Sequence, residues 1–477
     1  MLIRRAEVEG RLRDVRVAHG RIAALADELA AAQGEELLDA GGGALLPGLH
    51  DHHIHLLALA AARRSVRCGP PQVENAPALG AALARARSAL PPQRWIRGVG
   101  YHESVAGPLD RRALDAWVDD RPVRVQHRSG ALWVLNSAGV ERARLDAADH
   151  PGVERDERGA PTGRVFRADA WLRERLGAGE VPSLAEVGAE LAARGVTGVT
   201  DATPSNGADE LALFARASDE GALPQRLWVM GDTKLPEPRH PKLRRAAVKL
   251  LLDEANPIGF EALCDVIAGA HGQQRPIAIH CVTRSELVLA ASALNTVGAR
   301  DGDRIEHASV APPEALALLA SLPVTVVTQP NFVAERGDAY RRDVDPADHP
   351  YLYRCQGFLD ANVALGGGPD APFGEPDPWA AMRAAVDRRT AGGAPLGPDE
   401  ALSPERALAL FTSPPGAPGA APRRVVIGAP ADLVLLDRPW KQARERLSSG
   451  DVALCLCGGR AIRPTDPSTD PPTNPVG

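Results

Sequence analysis

Three histidines, His52, His53 and His55, fall within four positions at the end of the run Leu46-Pro47-Gly48-Leu49-His50-Asp51-His52-His53-Ile54-His55. On a β-strand, residues two apart point to the same side, so His53 and His55 can offer two imidazoles to one cation while His52 faces the other way. His280 closes Pro276-Ile277-Ala278-Ile279-His280-Cys281, and His307 closes Arg304-Ile305-Glu306-His307-Ala308. Taken singly, each is a plain core histidine; at equivalent ends of neighbouring strand-like runs, the two become a candidate ligand pair. Asp370 follows Val363-Ala364-Leu365-Gly366-Gly367-Gly368-Pro369. The glycines permit close backbone approach and leave the carboxylate at the mouth of the last run.

Lys249 is the other residue with chemical potential. Of 55 basic residues only Lys234, Lys242, Lys249 and Lys441 are lysines. Lys249 sits in Ala246-Ala247-Val248-Lys249-Leu250-Leu251-Leu252. A protonated ammonium is costly to desolvate there, so burial should depress its pKa and favour the neutral amine. A lysine snorkelling from a strand end is the plainer alternative. Candidate substrate contacts are Tyr101, Glu103, His127, Trp133, Gln329 and Asn331. They mix polar and aromatic character and select no chemical class.

These side chains need a frame that brings strand ends together. Eight short apolar runs end in polar or ionisable residues, as parallel strands buried on both faces should: Ala44–His55, Val196–Thr203, Gln225–Asp232, Ala247–Asp253, Pro276–Cys281, Arg304–Ala308, Val324–Gln329 and Val363–Asp370. Lys249 to His280 is 31 residues and His280 to His307 is 27, each about one βα unit. The pattern predicts an α/β fold, a distorted (β/α)8 barrel over 46–60 and 190–422, with its site at the C-terminal ends of the strands. The gap after the first run is far too long for one βα connection, which predicts an inserted subdomain over 61–189 that covers the barrel mouth. It carries its own strand-like runs, Trp95–Val99 and Pro122–His127. Segments 1–45 and 423–463 read as a β-sandwich built from both chain ends. Arg13–Val17 is followed by the turn signal His19-Gly20, two β-type runs begin at Arg423, and a third spans Val452–Leu456. Residues 464–477, rich in Pro, Thr and Asp, read as a disordered tail.

Composition narrows the function classes. With 44% apolar and 24% charged residues and a formal net charge of −6, the chain has average globular usage and no basic surplus to attract nucleic acid. The start Met1-Leu2-Ile3-Arg4-Arg5 turns charged before an export h-region can form, and no apolar stretch is long enough to span a bilayer. The six cysteines include no CxxC pair. A cytoplasmic enzyme with a small-molecule substrate, no nucleic-acid or membrane partner and a homodimer as the assembly to test is the resulting expectation.

Together these residues resemble the amidohydrolase superfamily, and within it the N-substituted formamide deformylase-like branch, amidohydrolase family 3. The resemblance runs nearly end to end. It is carried by the Pro-Gly-Leu-x-Asp run into His53-x-His55, by His280, His307 and Asp370, and by Gly98-Val99-Gly100-Tyr101-His102-Glu103, Trp133-x-x-Asn136-Ser137, Gly195–Ala202, Val248-Lys249-Leu250, Gly368-Pro369-Asp370-Ala371-Pro372 and Ile427-Gly428-x-Pro430-Ala431-Asp432-Leu433-Val434. Two departures stand out. Ser129-Gly130-Ala131 replaces the branch's Ser-Gly-His, with His127 displaced upstream, and Gly-Pro-Asp replaces Gly-Ser-Asp at the last strand. Neither removes a metal ligand.

The resemblance implies two divalent metal ions, with zinc fitting the nitrogen and carboxylate shell. His53, His55 and Asp370 would hold one, His280 and His307 the other, and Lys249 would bridge them as a carbamate derived from carbon dioxide. The ions would activate a water for hydrolysis of an amide, formamide or cyclic amide C–N bond, with Asp370 as proton acceptor and donor. Competing readings are an aminoheterocycle deaminase on the same fold, commonly with one metal, and a catalytically silent scaffold, which typically loses ligands.

Overall fold

The structure is a computed structural model that describes residues 1–176, 182–254 and 257–462, so the expected tail over 464–477 lies outside the described residues. It divides into two compact units, one of Met1–Leu56 with the chain from Leu184 onward, the other Leu57–Ser183.

The first unit contains an eight-stranded parallel sheet: β1 Leu49–Ile54, β2 Val196–Asp201, β3 Arg226–Gly231, β4 Leu243–Leu251, β5 Ile277–Cys281, β6 Arg304–His307, β7 Thr325–Thr328 and β8 Ala364–Gly367, in spatial order of the chain. The two edges meet beyond β8. The Asp370 N–H donates to the His53 carbonyl at 3.0 Å and the His55 N–H to the Ala371 carbonyl at 2.9 Å, which brings the end of the sheet round to its beginning as a distorted (β/α)8 barrel.

Local chemistry explains where the strands stop. After β5, Thr283 forms a capping box with Glu286 at the start of helix Arg284–Val297, so the chain leaves the sheet two residues beyond Cys281. The first run, read as continuous over Ala44–His55, is in fact two strands. Leu45–Pro47 pairs in an antiparallel sheet with Leu433–Leu436, and Leu49–Ile54 enters the barrel. The break falls at Gly48, where a Cβ would lie 2.2 Å from Thr197 Cγ2.

Both chain ends build a sandwich of two four-stranded sheets. One runs Arg21–Ala26, Arg11–Ala18, Leu2–Val8, Leu37–Asp39; the other Arg460–Ile462, Val452–Cys457, Leu433–Leu436, Leu45–Pro47. Their facing sides share one apolar core that includes Ile3, Val15, Ile22, Leu433, Leu435 and Leu456. His19 and Gly20 both have positive φ, at 50° and 70°, as a two-residue hairpin between right-twisted strands requires. The first run after Arg423 is a correction to the sequence reading: no strand forms there, and Val426 and Ile427 are 42% and 62% exposed.

The inserted unit has a six-stranded mixed sheet, ordered Val153–Arg155, Pro161–Phe166, Leu132–Leu135, Val123–His127, Ile96–Tyr101, Val66–Arg67. It buries two apolar clusters of its own.

Candidate metal centre

β1 is polar in composition yet wholly buried, so each of its polar side chains needs a partner. On one face His50 Nε2 lies 2.9 Å from Thr200 Oγ1 and His52 Nε2 lies 3.0 Å from Ser413 Oγ. On the other, Asp51 accepts the His53 N–H at 2.9 Å, and His53 Nδ1 meets Glu306 Oε2 at 2.5 Å. His55 Nδ1 is held by Thr203 Oγ1 at 2.9 Å. With both Nδ1 atoms engaged, the Nε2 atoms of His53 and His55 face Asp370 Oδ1 at 3.5 and 3.3 Å. One donor atom from each of these three residues lies within 4.8 Å of the other two.

Backbone features aim these groups. Asp201, at the end of β2, accepts hydrogen bonds from the N–H groups of Leu56 and Thr203 and from Asn206 Nδ2, at 2.8, 3.0 and 2.8 Å, so it anchors both His55's flank and its Thr203 partner. Asp370 sits at φ 59° and His307 at φ 72°. Non-glycine residues adopt this region at a cost, and such outliers cluster at functional sites. Gly368 permits the approach of the β8 end to β1: a Cβ there would stand 2.5 Å from the His53 nitrogen and 2.9 Å from Asp51 Oδ1.

The second group adjoins the first. The His280 and His307 rings are 4.4 Å apart by centroid, and His307 is 4.8 Å from His53. His307 Nδ1 lies 2.7 Å from Gln329 Oε1. Lys249, on β4, pairs in register with Ala278, two residues before His280. It is 4% exposed, and its Nζ has no hydrogen-bond partner among the described residues.

Burial lowers the pKa of all three inner histidines, His53, His280 and His307, the last to about 3, so their imidazoles stay neutral with lone pairs to give. Burial alone would raise the Asp370 carboxyl, but His53, His55 and His307 together hold it below the usual carboxylate range. Burial pushes Lys249 down to about 8, against the pull of Glu306 and Asp370. Neutral imidazoles, an ionised carboxylate and an amine inclined to lose its proton form a donor set that lacks an acceptor, and divalent cations complete such a set.

Glu306 was missed from sequence. Fully buried between Arg304, whose Nε is 2.7 Å away, and His53, it fixes the ring orientation of His53. Burial would raise its pKa, but Arg304, Lys249 and His53 hold it well below the ordinary value. The signal was present in Arg304-Ile305-Glu306-His307, where two opposite charges alternate with apolar positions in a strand too short to expose them.

The expected substrate contacts divide. Gln329 is fully buried and committed, its Oε1 to His307 and its Nε2 to the Val327 carbonyl at 3.3 Å, so it orients a histidine. Asn331 Nδ2 donates to the Pro369 carbonyl at 3.1 Å beside Asp370, while its buried Oδ1 has no partner among the described residues. The other four lie in the inserted unit. Tyr101, 2% exposed, donates its hydroxyl to the Gly107 carbonyl; Trp133, 4% exposed, donates Nε1 to Asp169 Oδ1 at 2.8 Å. Both pack in that unit's cores. Glu103 and His127 are partly exposed and meet each other at 3.0 Å.

Comparison with known proteins decides the family. The model of the amidohydrolase family matches residues 36–462. The chain belongs to that family. This amidohydrolase is 28% identical to the N-substituted formamide deformylase of Arthrobacter pascens, over 89% of this chain and 90% of that protein. Its fold resembles that of an uncharacterized metal-dependent hydrolase from Pyrococcus horikoshii OT3, with a TM-score of 0.69 at 21% identity over 92% of this chain and 96% of the other. It also resembles N-isopropylammelide isopropylaminohydrolase from Burkholderia multivorans ATCC 17616, with a TM-score of 0.53 at 18% identity over 97% of each chain. The protein is an enzyme, a metal-dependent hydrolase of carbon–nitrogen bonds.

Proposed function

We propose that the enzyme hydrolyses the amide of a small N-substituted formamide or a closely comparable open or cyclic amide in the cytoplasm, using two zinc ions. His53, His55 and Asp370 would hold one ion, His280 and His307 the other, and Lys249, as its carbamate, both. The observation that carries this reading is the buried Lys249 amine, which lacks a hydrogen-bond partner among the described residues and stands electrostatically beside Asp370, His53, His280 and His307. The Lys249 nitrogen adds to the carbon of carbon dioxide and loses one proton, and the resulting anion removes the cost of a buried cation. When bound, the metal ions supply Lewis acidity, lowering the pKa of a water and polarising a carbonyl oxygen.

The protein's own residues manage the proton. Asp370, ionised and turned toward His53 and His55, accepts the proton of the attacking water and returns it to the departing amine nitrogen as the C–N bond breaks. Glu306, Thr203 and Gln329 hold three histidine rings by their Nδ1 atoms, which keeps each Nε2 directed at the centre. The likeness to the formamide deformylase supports the formyl group as the acyl part.

The test is zinc-loaded protein incubated with a panel of N-alkyl and N-aryl formamides, N-acyl amines, cyclic amides and aminoheterocycles. Formate and the free amine in equal amounts from the formamides is the expected result. Ammonia from an aminoheterocycle with no turnover of any amide would replace this reading with deamination.

A further inference from the structure

The inserted unit has its own pair of convergent histidines. Strands Ile96–Tyr101 and Val123–His127 are parallel neighbours with Tyr101 in register with His127. Their ends therefore bring His102, just beyond the first, beside His127, the last residue of the second; the ring centroids are 5.9 Å apart and the planes tilted by 34°. Each histidine is followed two residues later by a serine, in His102-Glu103-Ser104 and His127-Arg128-Ser129. Ser104 Oγ lies 2.9 Å from His102 Nδ1 and Ser129 Oγ lies 2.7 Å from His127 Nδ1. Both rings are thereby turned so that Nε2 faces one carboxylate oxygen, Glu103 Oε2, at 4.0 Å from His102 and 3.0 Å from His127.

We propose that His102, Glu103 and His127 form a further binding site, within the inserted unit, for a first-row divalent cation, with zinc as its probe. One donor atom from each residue lies within 4.8 Å of the other two. Tetrahedral zinc with ligands at ~2.1 Å sets its donors about 3.4 Å apart, and the two nitrogen-to-carboxylate distances fall on either side of that. Two imidazoles and one carboxylate leave a position for water, and side chains 18%, 41% and 17% exposed let the ion and that water enter. The serines supply the support a ligating histidine needs. With Nε2 on a metal, neutral imidazole carries its proton on Nδ1, and each hydroxyl stands where it can accept that proton's hydrogen bond. Without the ion, the backbone N–H groups of Ser104 and Ser129 donate to the same Nδ1 atoms at 3.2 and 3.1 Å, which places the protons on Nε2 facing Glu103. The trio thus serves either state through a change of tautomer, and the ion would tie the ends of two adjacent strands.

The test uses full-length protein stripped with a chelator, dialysed against buffered zinc and analysed for zinc per chain. His102→Ala, His127→Ala and Glu103→Gln should each hold about one ion fewer than the parent. The difference is read against the parent, so it is independent of how many ions the barrel takes; loss of barrel zinc with the difference intact would count against the barrel assignment alone. Should an alanine variant fail to fold, Glu103→Gln, which preserves size, decides. Equal zinc content in the parent and in every folded variant would overturn the site and leave the trio a hydrogen-bonded cluster.

Discussion

Lys234 and Lys441 are exposed and Lys242 is half-buried, whereas Lys249 is enclosed among the candidate metal ligands. An amine whose pKa falls to about 8 is roughly 10% neutral at pH 7, against about 0.03% at its ordinary value, so the species that reacts with carbon dioxide is enriched some 300-fold. Arginine keeps its proton and cannot follow this route. Lys249→Arg should therefore lose the paired metals and lower turnover by several orders of magnitude, and Lys249→Ala should do the same with partial rescue by a small carboxylate; a fully active Lys249→Arg enzyme would remove the carbamate. The same pKa has a consequence for stability. A base with a depressed folded pKa contributes stability present above its unfolded pKa and lost as pH falls through the folded one. Metal-stripped protein should accordingly gain about 3 kcal/mol as pH rises from 8 to 10.5, and Lys249→Met should flatten that part of the pH profile in chemical denaturation. At Glu306 the expected change is of another kind. Glu306→Gln leaves Arg304 buried without its counter-charge and weakens the hold on His53, so it should destabilise the protein by ~3 kcal/mol and reduce metal affinity 10- to 100-fold, as measured by competition with a chelator.

At the scale of the element, the barrel depends on backbones meeting where side chains would collide. Gly368→Ala would set a Cβ 2.5 Å from the His53 nitrogen and 2.7 Å from its Cβ, atoms of a strand that cannot step aside, and should cost about 1–3 kcal/mol while displacing His53 and weakening metal binding. Gly269→Ala is the control: it lies in helix Phe260–Gly272 with nothing within 4 Å of the new Cβ, so it should stabilise by ~0.5–1 kcal/mol and leave metal binding untouched. Equal effects in the two variants would show that contact at β1 is not what reserves position 368 for glycine. This contrast also marks what could be read from the chain itself. The eight barrel strands were legible because most are short apolar runs that end in polar or ionisable residues, and period and spacing carry that signal. The break at Gly48 was not, since it arises from Thr197 on a strand about 150 residues away. The alternation of Arg423–Ile427 looked like a strand, yet only Val425 enters the sandwich core while Val426 and Ile427 face solvent, and the arginines are used elsewhere: Arg423 donates to the Gly48 carbonyl at 2.6 Å and Arg424 pairs with Glu9. The packing of Tyr101 and Trp133 in the apolar cores of the inserted unit was also not legible, since residue type does not tell how deeply an aromatic side chain is buried.

Across the whole molecule, the sandwich and the barrel are joined at the point where the strand that carries the candidate metal ligands begins. Leu45–Pro47 is held in the sandwich by Leu433–Leu436, with Leu45 opposite Leu435, and β1 starts two residues later. The Gly48 N–H donates to the Asp432 carbonyl at 2.8 Å, and Arg226 grips the Asp432 carboxylate from β3 at 2.7 Å. The backbone that sets the start of β1 is thus fixed by main-chain hydrogen bonds and ion pairs, whereas the sandwich's cohesion comes from apolar burial. Removing a core side chain should therefore affect stability and the site separately. Leu435→Ala, at a position 3% exposed, should cost about 2–5 kcal/mol through lost burial and a residual cavity. In a structural unit of more than 300 residues each kcal/mol corresponds to roughly 1–2 °C, so the melting temperature should fall by about 2–10 °C. Zinc affinity measured well below the transition should remain within twofold of the parent, because Leu435 keeps its main-chain pairing with Leu45 and neither Gly48 nor Asp432 is altered. A large loss of zinc affinity with an unchanged melting temperature would show instead that side-chain packing in the sandwich, rather than the hydrogen bonds at Gly48, positions His53 and His55.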